Sequence, residues 1–224
     1  TGEYGDKNFT EEFWWAASEL YVTTRKPEYL EYLTRNEPYA DMVVGDSWRN
    51  FVGNLGNFSI LIADSTISKD LRLRVGQKLI TLADGLLTKL ESNPYRIFLD
   101  DFQWGSNSDV QNSAMIFAYA YKLTNDAKYL NAIVESMDYI FGKNATDYSF
   151  VTGFGSKTPK FIHHRASGTD KIDEPIPGFV IGGPNAAKQD EGIGVNYDNK
   201  LPAKGYMDVE ASFASNEVCI NWNA

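Results

Sequence analysis

The sequence has a single cysteine, Cys219, in 224 residues. No disulfide can form within the chain, so a packed core has to supply the stability. It has only two histidines, and they are adjacent, His163 and His164. It has no run of lysine or arginine, and 21 basic against 30 acidic residues leave a formal net charge of −9. Nucleic acids and anionic membranes are bound through basic patches, so this balance argues against both as partners. No apolar run approaches the ~20 residues of a membrane-spanning helix. No leader peptide is recognisable, and the chain opens on Thr-Gly-Glu-Tyr rather than Met, so it is expected to be processed or truncated. Linkers and low-complexity segments are also missing.

What the sequence does have is apolar and aromatic content. Hydrophobic residues make up 43%, ample for a core, and aromatic residues 14%, as 13 Tyr, 13 Phe and 5 Trp. Most of these rings belong to the core, and the remainder suit a surface on which flat ligands or sugar rings stack. An acidic protein of this kind is compatible with a neutral polymer such as a polysaccharide.

The first two-thirds reads as helices over 10–23, 27–36, 47–63, 67–91, 107–123 and 127–141. Asn8 or Thr10 is the expected cap of the first, and Pro27 stands at a first-turn position of the second. Tyr21-Val-Thr-Thr-Arg-Lys-Pro-Glu-Tyr-Leu30 aligns with Tyr121-Lys-Leu-Thr-Asn-Asp-Ala-Lys-Tyr-Leu130, and a weaker copy runs from Ala63 to Leu71. Each copy is the turn of a helical hairpin. Hairpins that cannot bury their faces singly must stack, and spacings of about 45 to 55 residues fit an α/α toroid better than a regular solenoid. From 143 to 213 the helical period is lost and Gly, Pro, Asn and Asp cluster. A stretch of that length in a compact domain is usually functional. A last short helix is expected from Asn216 to the end. Asn8, Asn57 and Asn144 begin glycosylation sequons.

Two constellations carry candidate chemistry. The first runs from Ser149 to Arg165, with Gly153 and Gly155 shaping a tight loop before His163, His164 and Arg165. Imidazole and guanidinium groups can donate to hydroxyls in fixed geometry. A structural clamp explains the same residues equally well, and adjacent histidines that point apart, without a thiolate, are a poor metal site. The second runs from Tyr206 to Ala224 and sets Asp208 and Glu217 among aromatic rings. Glycosidases use two carboxyl groups, one of which must hold its proton. At a helix start the dipole favours an ionised carboxylate, so a plain first-turn acid is the competing reading of Glu217.

Both segments resemble the two signatures of glycoside hydrolase family nine, the endoglucanase family with an (α/α)₆ barrel. Ser149, Val151, Thr152, Gly155, Lys157, His163 and Arg165 match the first, and Tyr206, Asp208, Phe213, Glu217, Asn223 and Ala224 the second. Cys219 departs from the family's usual Ser, Thr or Ala. Trp104-Gly-Ser-Asn107 resembles the family's cleft segment. The resemblance implies an all-α fold of successive αα-hairpins forming about half of the barrel, with 1–224 as the C-terminal part of one catalytic domain. It implies inverting hydrolysis of β-1,4-glucosidic bonds in cellulose or related glucans, with Glu217 as general acid, Asp208 as its carboxylate partner and His163 at the catalytic centre. Arg165, Trp104 and Tyr206 would bind substrate. No cofactor is implied for the chemistry, and a structural calcium would sit near Asp6, Glu11 and Glu12, which read equally well as an acidic helix start. A polymer substrate implies a secreted or cell-surface enzyme. The family's catalytic base lies in an Asp-Ala-Gly-Asp-like motif that this sequence lacks, so the N-terminal half of the domain is an expected partner. Two other readings remain open here, a non-catalytic glucan-binding module using the same aromatic cleft and a helical scaffold for protein binding.

Overall fold

A computed structural model describes residues 9–36, 42–44 and 52–223. They form six α-helices, α1 Thr10–Thr24, α2 Pro27–Asn36, α3 Gly53–Ile62, α4 Lys69–Ser92, α5 Ser106–Thr124 and α6 Ala127–Ile140. Two 3₁₀ turns follow at Pro202–Lys204 and Ile220–Trp222. Among the described residues no strand forms, only isolated bridges. No helix among them is long and apolar enough to cross a membrane.

The helices start and stop for local reasons. Glu11 and Glu12 occupy the first turn of α1, and Pro27 opens α2 with Glu28 behind it. Ser68 caps α4 by accepting from the Leu71 amide, and Asp126 caps α6 by accepting from the Lys128 amide. Thr10 does not cap α1: that position falls on Phe9, whose side chain cannot accept a hydrogen bond, and Thr10 is already helical. Asn8 lies outside the described residues, as do 47–51 of the helix expected over 47–63.

The repeated turn is the same structure twice. Arg25 and Asn125 both adopt left-handed backbone, with φ of 59° and 56°, and donate their amides to the carbonyls of Tyr21 and Tyr121. The hydroxyls of Thr24 and Thr124 donate to the carbonyls four residues back and accept the amides two residues on. The weaker copy at 63–71 lacks this geometry. Ala63 is extended in ψ, and the turn is held instead by Asp64, which accepts from Thr66, and by Ser68, whose amide donates to the Tyr21 hydroxyl.

One core, with Trp14, Leu33, Ile60, Leu71, Leu79, Phe117 and Tyr129 fully buried, lies among the helices. Leu71, Val75, Leu79, Ala83, Leu86 and Leu90 form a continuous buried stripe along α4. Polar ties fix the helices to each other: Trp14 Nε1 donates to Asn57 Oδ1 at 3.1 Å, joining α1 to α3, and the Tyr129 hydroxyl donates to Asp84 at 2.8 Å, joining α6 to α4. Asn57 is 1% exposed and the Asn144 amide is bonded to the Tyr139 and Tyr148 carbonyls. Neither sequon side chain is free to take a glycan.

A second core holds the long loop. Ile97, Val110, Tyr139, Ile140, Phe150, Ile162, Ile181 and Tyr206 pack together, so residues 143–213 have apolar anchors although their only helical piece is the 3₁₀ turn Pro202–Lys204. Their backbone groups pair in short steps. Residues 150–152 pair with 178–181, and 182 and 183 pair with 217 and 215. The amide of Asn107 near the start of α5 donates to the Gly182 carbonyl. Gly183, at φ +89°, lies so close to the Asn107 side chain that a Cβ would come within 2.4 Å of it.

The left-handed cap at Asn125 should discriminate side chains by their tolerance of positive φ. Asn125→Val should destabilise the fold by roughly 1–2 kcal/mol, the ordinary cost of that conformation in a chiral residue, and Asn125→Gly should be neutral or stabilising. Urea denaturation giving equal stability for the two variants would contradict the repeated cap.

Candidate active site

The two sequence constellations converge through an isolated parallel bridge between His163 and Glu217. The His163 amide donates to the Asn216 carbonyl at 2.9 Å, and the Val218 amide donates back to the His163 carbonyl at 3.3 Å. On its other side the Glu217 carbonyl accepts from Gly182. Glu217 is therefore in extended backbone between two neighbouring segments. The helix expected from Asn216 does not form, because the amides and carbonyls it would use are committed to partners at His163 and Gly182 in neighbouring segments. Only the 3₁₀ turn Ile220–Trp222 remains, and no helix dipole acts on Glu217.

The Glu217 side chain is half-buried and its Oε2 accepts from Trp104 Nε1 at 3.0 Å. Trp104 comes from the turn before α5, 113 residues away, and its ring tilts on Phe213 with centroids 5.5 Å apart. The edge of His163 meets the same phenylalanine at 6.2 Å. The His163 Nδ1 lies 2.7 Å from the Glu210 carbonyl. A carbonyl only accepts, so Nδ1 carries the proton and Nε2 is left to engage a ligand. His164 turns elsewhere, with Nδ1 2.9 Å from Ser167 Oγ and its ring against Phe179.

Asp208 is a structural knot in this geometry. Its two oxygens accept from the Lys160 amide at 3.0 and 2.9 Å, and Oδ1 also accepts from the Phe161 amide at 2.9 Å and from Asn216 Nδ2 at 3.2 Å. Asn216 is fully buried, donates to the Phe161 carbonyl at 2.7 Å and accepts from the Tyr206 hydroxyl at 2.9 Å. Bonds to an ionised carboxylate are each worth about 1.5–3 kcal/mol, so this group holds the His163 segment to the Glu217 segment.

Tyr206, expected to bind substrate, is instead inside the second core. It is 7% exposed, packed edge-on against Tyr148 and Phe150, with its hydroxyl bonded to Asn216. Burial, and then the nearby Asp208 charge, hold that phenol well above its ordinary range, so it stays a donor. Arg165 is exposed, two residues past His163. Among the expected cation ligands, Glu11 Oε2 is 3.5 Å from the Gly53 amide, Glu12 Oε2 is buried without a hydrogen-bond partner, and Asp6 lies outside the described residues. Among the described residues no three acidic, histidine or cysteine side chains cluster as a metal site would.

Other residues of the signatures turn out to be scaffold. Ser149 is buried, and a Cβ on Gly155 would meet it at 2.8 Å. Thr152 Oγ1 donates to the Ile176 carbonyl and accepts from the Phe179 amide. Lys157 lies over the Tyr148 ring at 4.2 Å and donates to the Thr146 carbonyl. The Asn223 side chain accepts from the Val180 amide and donates to its carbonyl, imitating a strand partner. Sequence reasoning missed the bond from Trp104 to Glu217 and the central place of Asn216. No local pattern encodes a contact across 113 residues, whereas Asn216, buried beside the candidate acid in sequence, could have been suspected.

Comparison with known proteins agrees with this arrangement. The sequence profile of glycosyl hydrolase family 9 matches residues 1–224. The xyloglucan-specific endo-β-1,4-glucanase BoGH9A of Bacteroides ovatus is 40% identical over the whole chain, and the chain covers 38% of it. A cellulose 1,4-β-cellobiosidase of Acetivibrio thermocellus is 32% identical over the whole chain and is covered to 28%. Among solved structures, a Bacteroides ovatus GH9 protein aligns over the whole chain and 39% of its own length, with a TM-score of 0.85 at 38% identity. The GH family 9 endoglucanase J30 aligns over the whole chain and 42% of its own length, with a TM-score of 0.89 at 29% identity. The chain thus spans well under half the length of these relatives, and its stacked hairpins are part of the α/α barrel they share. With its whole length matched and both signatures assembled at one place, the chain belongs to glycosyl hydrolase family 9.

Proposed function

We propose that this chain is the C-terminal part of an inverting β-1,4-glucanase catalytic domain and supplies its general acid, Glu217. The observation that carries the reading is the half-buried Glu217 carboxyl, held at one oxygen by the Trp104 indole N–H beside His163 and Phe213. With Oε2 engaged, Oε1 is the oxygen that presents a proton to the glycosidic oxygen. As the bond from the anomeric carbon to that oxygen breaks, the proton passes from Glu217 to the leaving hydroxyl. A water attacks the opposite face of the anomeric carbon and gives its proton to a carboxylate base. In inverting enzymes the two carboxyl groups stand about 6.5–9.5 Å apart to leave room for that water.

The base in this reading lies upstream in a longer polypeptide, because the chain has no Asp-Ala-Gly-Asp-like motif. His163 Nε2 and Arg165 bind sugar hydroxyls next to the scissile bond, and the Trp104–Phe213 pair offers a ring face to a glucose unit. Asp208 acts through the backbone it grips and does not need to touch the sugar. The relatives' names point to cellulose-type or xyloglucan-type chains as substrate, since both present a β-1,4-glucan backbone to such a cleft. A polymer of this size is met outside the cell, which places the enzyme in a secreted or surface-bound form.

The N-terminal partner is supported by surface chemistry. Phe13 is 63% exposed and Leu20 43% exposed on α1, beside a groove of about 330 Å³ that Ala16, Tyr29 and Tyr32 also line. Apolar surface of this kind is normally covered. A structural calcium would be held by Asp6, Glu11 and Glu12, and the orphaned Glu12 oxygen is the observation that fits it.

Glu217→Gln in the full natural polypeptide keeps the Trp104 bond but has no proton to give. Its kcat on cello-oligosaccharides should fall about 10²–10⁴-fold, the usual contribution of general acid catalysis. KM should change little, and the loss should shrink for a dinitrophenyl cellobioside, whose leaving group needs no proton. Near-normal kcat on the oligosaccharide would place the acid elsewhere. The isolated 224-residue chain should be inactive on soluble cellulose and should self-associate in sedimentation. A monomer with full turnover would refute the divided site. EDTA should lower the melting temperature of the full polypeptide and Glu12→Gln should remove that sensitivity; a melting temperature indifferent to chelation would dismiss the cation.

A further inference from the structure

Asp190 belongs to neither signature, yet its carboxylate is fully buried beneath the loop that carries both candidate carboxyl groups. Oδ2 accepts from the Ala214 amide at 2.9 Å, and Oδ1 accepts from the Tyr197 hydroxyl at 2.8 Å. The Tyr197 oxygen lies 3.2 Å from Ser212 Oγ and 3.2 Å from Ser215 Oγ, and the two serine oxygens are 2.8 Å apart. Ser215 Oγ also accepts from the Met207 amide at 3.2 Å.

Proton accounting orders these contacts into one chain. The Met207 amide can only donate and the Asp190 carboxylate can only accept. One arrangement that uses every donor runs from Met207 N–H to Ser215 Oγ, from its hydroxyl to Ser212 Oγ, from there to the Tyr197 oxygen and from the phenol to Asp190 Oδ1. Each hydroxyl gives one hydrogen and receives one, and such head-to-tail chains reinforce each other in a buried site. Burial pushes the Tyr197 phenol up to about 12, so it remains a donor in ordinary buffers.

Every contact this network makes with the catalytic loop falls on Met207, Ser212, Ala214 or Ser215, between one residue before Asp208 and two before Glu217. The Ser215 carbonyl in turn accepts from Gly183, next to the Gly182 amide that donates to the Glu217 carbonyl.

We propose that Asp190 is a positioning residue for the acid step, anchoring the 206–217 loop through Tyr197, Ser212 and Ser215 so that Glu217 is held at its working place. The proposal rests on the reading of Glu217 as general acid. Asp190→Ala removes both acceptors and loosens the loop. Asp190→Asn keeps one acceptor but turns an N–H₂ toward either Ala214 or Tyr197, so one bond of the network is lost.

The test compares variants of the full natural polypeptide on cello-oligosaccharides and on dinitrophenyl cellobioside. Misplacing a catalytic group by about 1 Å costs up to ~10²-fold, so Asp190→Ala should lose roughly 10–100-fold in kcat on the oligosaccharide with KM within about twofold. The loss on the activated substrate should be several-fold smaller, and Asp190→Asn should recover part of the rate. A purely structural role would depress both substrates equally, and that result, or a folded Asp190→Ala with unchanged kcat, overturns the proposal. If Asp190→Ala does not fold, Tyr197→Phe, which removes only the relay oxygen, decides by the same comparison. Glu217→Gln is run in parallel. If its loss depends on the leaving group while that of the Asp190 or Tyr197 variant does not, only the positioning role falls. If Glu217→Gln shows no such dependence, both readings fall.

Discussion

The grip of Asp208 on the Lys160 and Phe161 amides is the contact on which the site depends. It ties two segments almost fifty residues apart in sequence, and the buried Asn216 side chain closes the knot by donating to both Asp208 and the Phe161 carbonyl. Once these are joined, His163 and Glu217 are neighbours through their backbones and their side chains leave from adjacent extended segments. Trp104 then reaches in from the start of α5, so the candidate acid is fixed to the helical scaffold as well as to the loop. A carboxylate that accepts backbone N–H groups does a job that few other side chains can, since it is acceptor-only and offers several lone pairs at short reach.

A loop of about seventy residues keeps one conformation here by the same economy. It has its own apolar core, and its backbone groups are satisfied by short pairings and by side chains that imitate strands, as Asn223 does for Val180. Regular elements would need longer parallel or antiparallel runs, which the frequent Gly and Pro prevent. The result places polar, ligand-ready groups on irregular backbone while the helices behind them stay rigid.

The helices were legible in the sequence because their signals are local. The stripe on α4, the proline at α2 and the repeated Tyr-x-x-Thr turn each act within a few residues, and the left-handed caps at Arg25 and Asn125 are what the repeat encodes. The site was legible in its parts, through the resemblance of its two segments to a known pattern, and illegible in its assembly. Asn216-Glu217-Val218 has a plausible helix start by composition, and only the partners at His163 and Gly182 turn it into extended chain. Tyr206 looks like a ligand-facing ring until the second core claims it. Asp190 gives no local signal, because its side-chain partners lie 7 and 24 residues away in a loop without periodicity.

In the proposed reading these interactions build one half of a hydrolytic site, an acid with its supports, on hairpins whose exposed apolar surface would receive the other half. The most direct measurement is a crystal structure of the full natural polypeptide with a cello-oligosaccharide spanning the cleft. A Glu217 oxygen should lie about 2.6–3.2 Å from the scissile glycosidic oxygen, the reach of a general acid, with the second oxygen still on Trp104 Nε1. A glycosidic oxygen out of reach of Glu217, with a different acid beside it, would contradict the account.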